Sequence, residues 1–288
     1  MEQNNTVLSR MFSQNSLKGL IAQDDDATST FYSIVRRYKI DVNEGMTNEE
    51  VISEIYSYLD HQYRNEYFYK NTLLNKLIVN VHRLRTTVAL TEVPIAKSKA
   101  DFIMINGKAV VYEIKTELDT FDRLKSQIAD YYKAFDHVCV VTSLEQSEIL
   151  MKEVENSPLG IYVLSKRNTI QRIKEPQEYR EKLDLRYIFK ILNKPEYEQL
   201  LLRLGDTLPN VTPINYYRAC QKLFYKHGID EVYPLFLKTL KSRNRIDVVD
   251  FKAVPYALRF LAYFAKYRNA EYQELDAFLA EQFCDERR

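Results

Sequence analysis

Asp101-Phe102-Ile103-Met104-Ile105-Asn106-Gly107-Lys108-Ala109-Val110-Val111-Tyr112-Glu113-Ile114-Lys115 reads as two apolar runs joined by an Asn-Gly turn. Runs of this length and composition, broken by Asn-Gly, predict a β-hairpin. Side chains alternate faces along a strand, so Glu113 and Lys115 share one face while Tyr112 and Ile114 take the other. The turn length then decides where Asp101 points. A two-residue turn would pair Ile105 with Lys108 and Asp101 with Tyr112, putting Asp101 and Glu113 on opposite faces. A three-residue loop with a Gly107 bulge, or a bulge within the strands, shifts the register by one and brings the two carboxylates to one face, and this is the expected arrangement.

Two nearby carboxylates repel unless a cation lies between them, and a hard divalent ion such as Mg²⁺ prefers such oxygen ligands. Lys115 would add a compact positive charge suited to a water or to phosphate oxygens. The chemistry this suggests is metal-assisted phosphodiester hydrolysis. A helix expected from Asp119 to Phe135 carries Phe121, Leu124, Ile128, Tyr131 and Phe135 at helical spacing. Gln127 lies on that inward stripe and is polar, which marks it as a site residue, whereas Tyr131 also fits a core role. Glu117 and Asp119 read as a solvated turn and the N-cap of that helix.

Asp101, Glu113-x-Lys115, the hairpin and the following helix resemble the core of the PD-(D/E)XK nuclease superfamily, which includes restriction endonucleases and RecB-type exonuclease domains. Gln127 with Tyr131 is similar to the Q-x-x-x-Y motif of RecB-like members. The resemblance covers roughly residues 64 to 173. Ala100 stands where the name-giving proline would be. The resemblance implies a restriction-endonuclease-like mixed sheet flanked by helices. It also implies Asp101, Glu113 and the Ile114 backbone carbonyl as ligands of Mg²⁺, with Mn²⁺ able to substitute, and Lys115 as the catalytic lysine beside Gln127 and Tyr131. Glu66, on a helix before the first strand, matches an acidic residue many members place there, and Glu92 is an alternative. DNA is the substrate expected ahead of RNA, in defence against foreign DNA or in repair. The competing class keeps the fold but is a catalytically silent nucleic-acid- or partner-binding protein.

The chain has 288 residues and 45% hydrophobic content, enough to bury a full core. Lys plus Arg number 41 against 40 Asp plus Glu, so no overall basic field exists and nucleic-acid contact must come from local patches. Lys97, Lys99 and Arg123 are the expected contacts, with Lys108 and Lys125 nearby. No apolar run reaches membrane-spanning length, and Met1-Glu2-Gln3-Asn4-Asn5 does not begin a secretory signal, so a cytoplasmic protein with no membrane partner is expected. Cys139, Cys220 and Cys284 lack zinc or disulfide-framework spacing, and the four histidines show no ligand pattern. A phosphate-cradling G-x-x-x-x-G-K-[ST] loop is missing.

Along the chain, Thr47-Asn48-Glu49-Glu50 is a capping box opening a helix with Val51, Ile52, Ile55, Tyr56 and Leu59 as its apolar stripe. Another helix is expected from about Glu66 to Val81, ending near His82. Strands are expected at about 88–94, 101–105, 110–115, 138–142, 160–164 and 169–173, with a helix at about 144–155. The organisation predicted is an N-terminal helical extension (1–63), an α/β core (64–175) and a C-terminal helical module (176–288), with Pro209, Pro213, Pro234 and Pro255 at helix starts or breaks. The tyrosines and basic residues of that module, among them Tyr217, Tyr225, Lys238, Lys241, Arg243 and Arg245, read first as packing, with base stacking as the alternative. A protein partner or a second copy could dock there.

Overall fold

Six strands form one mixed sheet in chain order, β1-β2-β3-β4-β5-β6. The computed structural model describes residues 6–81, 84, 86–243 and 248–284; His82 and Arg245 lie outside the described residues. The chain divides into two compact units, Met1–Arg85 with Ile246–Arg288, and Thr86–Arg245. This grouping differs from the segments 1–63, 64–175 and 176–288: the helix at Glu66 belongs with the N-terminal residues, and the helices following the sheet belong with the sheet.

The first unit opens with α1 (Thr6–Met11), α2 (Gln14–Ile21), α3 (Asp25–Arg37), α4 (Asn48–Gln62) and α5 (Glu66–Leu73). The capping box forms as expected: Thr47 accepts from Glu50 N and the Glu50 carboxylate reaches back to Thr47 N. The helix predicted to run from Glu66 to Val81 changes pitch midway. Beyond Leu73 the backbone widens into a π-helical stretch, Leu74–Val81.

The second unit carries β1 (Val88–Ile95), β2 (Ser98–Asn106), β3 (Lys108–Ile114), α6 (Leu124–Tyr131), β4 (His137–Thr142), α7 (Leu144–Val154), β5 (Gly160–Leu164) and β6 (Ile170–Lys174), then α8 (Leu185–Ile191), α9 (Lys194–Arg203), α10 (Pro213–Phe224) and α11 (Ile229–Lys241). β1, β2 and β3 form an antiparallel meander, β3–β4 and β4–β5 pair in parallel, and β6 returns antiparallel. Parallel neighbours need crossovers, and α6 and α7 supply them. α12 (Val248–Ala253), α13 (Arg259–Ala265) and α14 (Asn269–Ala280) complete the first unit, where Asn48 Nδ2 donates to Phe278 O at 2.9 Å and Tyr67 donates its hydroxyl to Ala257 O at 2.6 Å.

The hairpin takes the shifted register. Ile105 pairs with Ala109 and Phe102 with Tyr112, and Gly107 sits at the tip with φ +78°. No other atom lies within 4 Å of a Cβ built on Gly107, so the left-handed backbone, and not crowding, is what calls for glycine there. Ile103, Ile105, Ala109 and Val111 share one face, buried in one cluster with Leu124, Tyr131 and Phe135 of the α6 region and with Ile188, Phe189 and Leu200 from the following helices. Continuing the same alternation outward, this apolar face ends in Asp101 and Glu113.

Two expectations need correction. Asp119 does not cap α6: its carboxylate accepts from Thr116 N (2.8 Å) and Thr116 Oγ1 (2.7 Å), closing a turn, and the helix begins only at Leu124. Pro234 neither starts nor breaks a helix. It lies inside α11, in the second turn, where its missing N–H removes the i→i−4 bond to Asp230 O without ending the helix.

Candidate active site

The register that pairs Phe102 with Tyr112 sets Asp101 directly opposite Glu113. Asp101 Oδ2 accepts from Ile114 N at 2.8 Å, so its side chain is held across the strand pair at the end of β3. Ile114 occupies the expected position between Glu113 and Lys115. Lys115 continues β3 past its last paired residue, its own N–H donating to Val141 O at 2.9 Å.

Glu113 is 1% exposed and Lys115 9%. A charge so buried needs partners, and three side chains supply them. Lys115 Nζ lies 2.9 Å from Glu113 Oε1. Gln127 bridges the two: its Nε2 donates to Glu113 Oε1 at 2.5 Å, and its Oε1 accepts from Lys115 Nζ at 3.0 Å. Glu113, Lys115 and Gln127 thus close a ring between β3 and α6. One helical turn on, the Tyr131 hydroxyl lies 2.5 Å from Glu113 Oε2 and 3.0 Å from Lys99 O. Burial first, and then the Glu113 charge, push the Tyr131 phenol far above its ordinary value, so it stays a proton donor. Tyr131 is at once core, fully buried in the apolar cluster, and partner of the carboxylate.

β1 adds a third acid. Its pairings bracket Glu92 and Asp101 as facing positions, Thr91 with Phe102 and Val93 with Ala100. Carboxylate oxygens of Glu92 and Asp101 lie within 4.8 Å of one another. Glu92 has φ +56°, a left-handed conformation that costs a non-glycine residue on the order of 1 kcal/mol. Strain of this kind clusters at functional sites. Glu92, Asp101 and Glu113 thus occupy facing positions on three neighbouring strands. The sequence signal for Glu92 was only its availability beside the strand; its backbone conformation is not visible in a run such as Thr91-Glu92-Val93.

The remaining expected residues divide. Lys99 pairs with Glu92 Oε2 at 2.5 Å, at the edge of this acidic row. Lys97 and Arg123 are exposed, and both line a separate cleft behind α6. Lys125 faces Glu153 at 3.4 Å. Glu66 lies in the first unit, at the start of α5, paired with Lys70 at 2.5 Å. Asp130, which carried no sequence-based assignment, is a buried anchor beside Tyr131. Burial alone would raise its pKa, but hydrogen bonds from Lys133, Ser98 and Lys97 N hold the carboxyl below its usual range.

The oxygen-only donor set fits a hard divalent ion. Oxygens within 4.8 Å, as on Glu92 and Asp101, can share one ion; Glu113 faces Asp101 from the next strand, is not part of that close acidic group among the described residues, and turns its oxygens to Lys115, Gln127 and Tyr131. Among the described residues no helix is long and apolar enough to cross a membrane.

The family model described as bacteriophage P4 protein cII matches residues 60–248. Protein cII of Enterobacteria phage P4 is 26% identical over 156 residues, 53% of this chain. That alignment covers 57% of the relative, so the chain spans little more than half the length of the curated protein it matches. Among solved structures, a protein of unknown function from Silicibacter pomeroyi aligns with a TM-score of 0.28 and 16% identity, covering 44% of this chain and 86% of the other.

Proposed function

We propose that this chain, which belongs to the bacteriophage P4 protein cII family, is a metal-dependent nuclease built on the PD-(D/E)XK plan, hydrolysing phosphodiester bonds of nucleic acid, DNA ahead of RNA. The observation that carries the reading is the placement of Asp101 and Glu113 opposite each other on one face, with Lys115 and Gln127 joined to Glu113 in a closed ring. Asp101, Glu113 and the Ile114 carbonyl would hold Mg²⁺ or Mn²⁺, with Glu92 a further oxygen donor in reach of Asp101. Such an ion supplies an activated water and a counter-charge for the phosphate.

The chain's own side chains then have distinct tasks. Lys115 offers an ammonium whose position Gln127 fixes, so it can hold a water or a phosphate oxygen without first ordering a flexible side chain. Gln127 and Tyr131 orient the Glu113 carboxylate, each by a short donor bond. The apolar cluster under α6 backs the site and keeps these groups on rigid elements. A cytoplasmic setting, and a protein partner or second copy at the helices after the sheet, belong to the same proposal; Ile214 on α10, 90% exposed, is compatible with such docking.

One observation favours a second reading, a catalytically silent binding protein. Both Glu113 oxygens are already engaged, by Lys115, Gln127 and Tyr131, as a structural ion pair would be. Incubation of single- and double-stranded DNA and of RNA with Mg²⁺ or Mn²⁺ separates the two. The nuclease reading expects cleavage that EDTA stops and Lys115→Ala slows by orders of magnitude; binding without cleavage on every substrate, by folded protein, sinks it.

A further inference from the structure

Behind the helix that carries Gln127 and Tyr131 lies a second feature. α6 shows its inward stripe to the Glu113 ring, while Arg123, Ser126, Asp130 and Lys133, spaced three and four apart, form the neighbouring stripe. That stripe, the β1–β2 turn at Ala96–Ser98 and α8 residues Tyr187 and Lys190 enclose an open cleft of about 680 Å³. Four cations line it against a single acid, Asp130. The acid is already committed: it binds Lys133 Nζ at 2.6 Å, Ser98 Oγ at 2.8 Å and Lys97 N at 3.1 Å. Lys97, Arg123 and Lys190 have no carboxylate within 4.0 Å among the described residues. In a chain of net charge +1, the three cations left over after the Lys133–Asp130 pair make this a local positive field. The position of Lys190 is further set by Tyr187, whose ring lies 5.8 Å from Lys190 Nζ and 5.0 Å from Lys133 Nζ.

The cleft is tied to the candidate active site by covalent and hydrogen-bonded connections of fixed length. Ser98, held by Asp130, and Asp101 are three residues apart on β2, about 10 Å at ~3.3 Å per residue. In a B-form duplex this matches the axial rise of about three nucleotides of one strand. We propose that this cleft receives backbone phosphates of a nucleic-acid strand whose scissile bond lies at Asp101 and Glu113, with Lys97, Arg123 and Lys190 as the contacts. The proposal rests on the nuclease reading for the position of the scissile bond, while the anion site itself rests on the cleft. Lys97 and Arg123 thereby gain a shared role, and Lys190 joins them from an element far along the chain.

The test is fluorescence anisotropy of a labelled single-stranded oligodeoxynucleotide in EDTA, where no cleavage can interfere, across a salt series. Arg123→Ala combined with Lys190→Ala should weaken binding at least tenfold and flatten the slope of log affinity against log salt by about 1.4, at ~0.7 per lost phosphate contact on a single strand. The charge-preserving pair Arg123→Lys and Lys190→Arg should keep the slope. Unchanged affinity and slope in the alanine pair would overturn the proposal, as would an equal loss in the charge-preserving pair. Cleavage is scored in parallel with Mg²⁺: if no variant or parent cleaves, yet the salt slope still falls in the alanine pair, the nuclease reading fails and the anion cleft stands. If the parent cleaves and the alanine pair cleaves with the same KM, the cleft fails alone.

Discussion

Asp101→Asn isolates what the facing acids do to one another. Asparagine keeps the volume and one oxygen to accept from Ile114 N, which Asp101 Oδ2 now does at 2.8 Å. What it removes is repulsion. Glu92 and Asp101 oxygens lie within 4.8 Å, and at that limit two unit charges cost about 0.9 kcal/mol in a water-like medium and about 3.5 kcal/mol at an effective dielectric of 20. Asp101 is half-buried and Lys99 neutralises part of the Glu92 charge, so about 1 kcal/mol is the appropriate end of that range. Against it, the bond from Ile114 N changes from charge-assisted to neutral, losing about 0.5 kcal/mol. The net is a metal-free gain of about 0.5 kcal/mol, or roughly 1–2 °C in Tm for a unit of this size. The parent should behave oppositely with metal: at ~10 mM Mg²⁺ and a Kd of ~1 mM, ligand linkage adds about 1.4 kcal/mol. Thermal unfolding in EDTA and in Mg²⁺ reads both effects. The acid-row account expects the variant to melt slightly higher than the parent in EDTA and to lose the Mg²⁺ response. A metal-free drop of several degrees, with a parent indifferent to Mg²⁺ and Mn²⁺, would refute the reasoning and leave Asp101 a structural residue.

Gln127→Ala removes the bridge between Glu113 and Lys115; cleavage should fall at least tenfold while stability drops by only about 1–2 kcal/mol, checked by kinetics beside urea unfolding. Equal activity in parent and variant would assign Gln127 to structure alone. Glu92→Gly relieves the left-handed strain at φ +56°, so urea unfolding should show stability unchanged or raised by up to ~1 kcal/mol, whereas calorimetry should show weaker Mn²⁺ binding. For His227, burial works against protonation, but hydrogen bonds and charge from Asp206 and Glu231 prevail and raise its pKa. The folded value lies above the unfolded one of about 6.5. Its stabilisation is therefore complete below about pH 6.5 and is lost as pH rises through the folded value; Asp206→Asn should flatten stability against pH across that window.

Much of the sheet was legible because its strands are short apolar runs between strong turn signals. The strand expected at 160–164 is β5 to the residue, and 138–142 differs from β4 by one. The site was legible for a related reason. Glu113, Lys115 and Gln127 are polar groups at positions whose periodicity demands burial, and such groups are kept only with partners. The hairpin register followed from the same logic, since only a shifted turn puts the two acids together. What was hidden is tertiary. Asp119 has every local mark of an N-cap, but the hydroxyl and amide of Thr116 compete for it and win. The π-helical stretch after Leu73 leaves the apolar spacing of its sequence nearly helical, so nothing local announces it. Lys190 reaches the cleft behind α6 through a chain separation no motif spans.

Binding of a divalent ion at the end of β3 is what separates a catalytic site from a structural ion pair. Crystals grown or soaked with Mn²⁺ should show an anomalous difference peak within about 2.0–2.6 Å of carboxylate oxygens of Asp101 and Glu113, with the Ile114 carbonyl completing the protein ligands, and Glu113→Gln should abolish it. No peak there at saturating Mn²⁺, with Glu113 still closed onto Lys115, Gln127 and Tyr131, would contradict it.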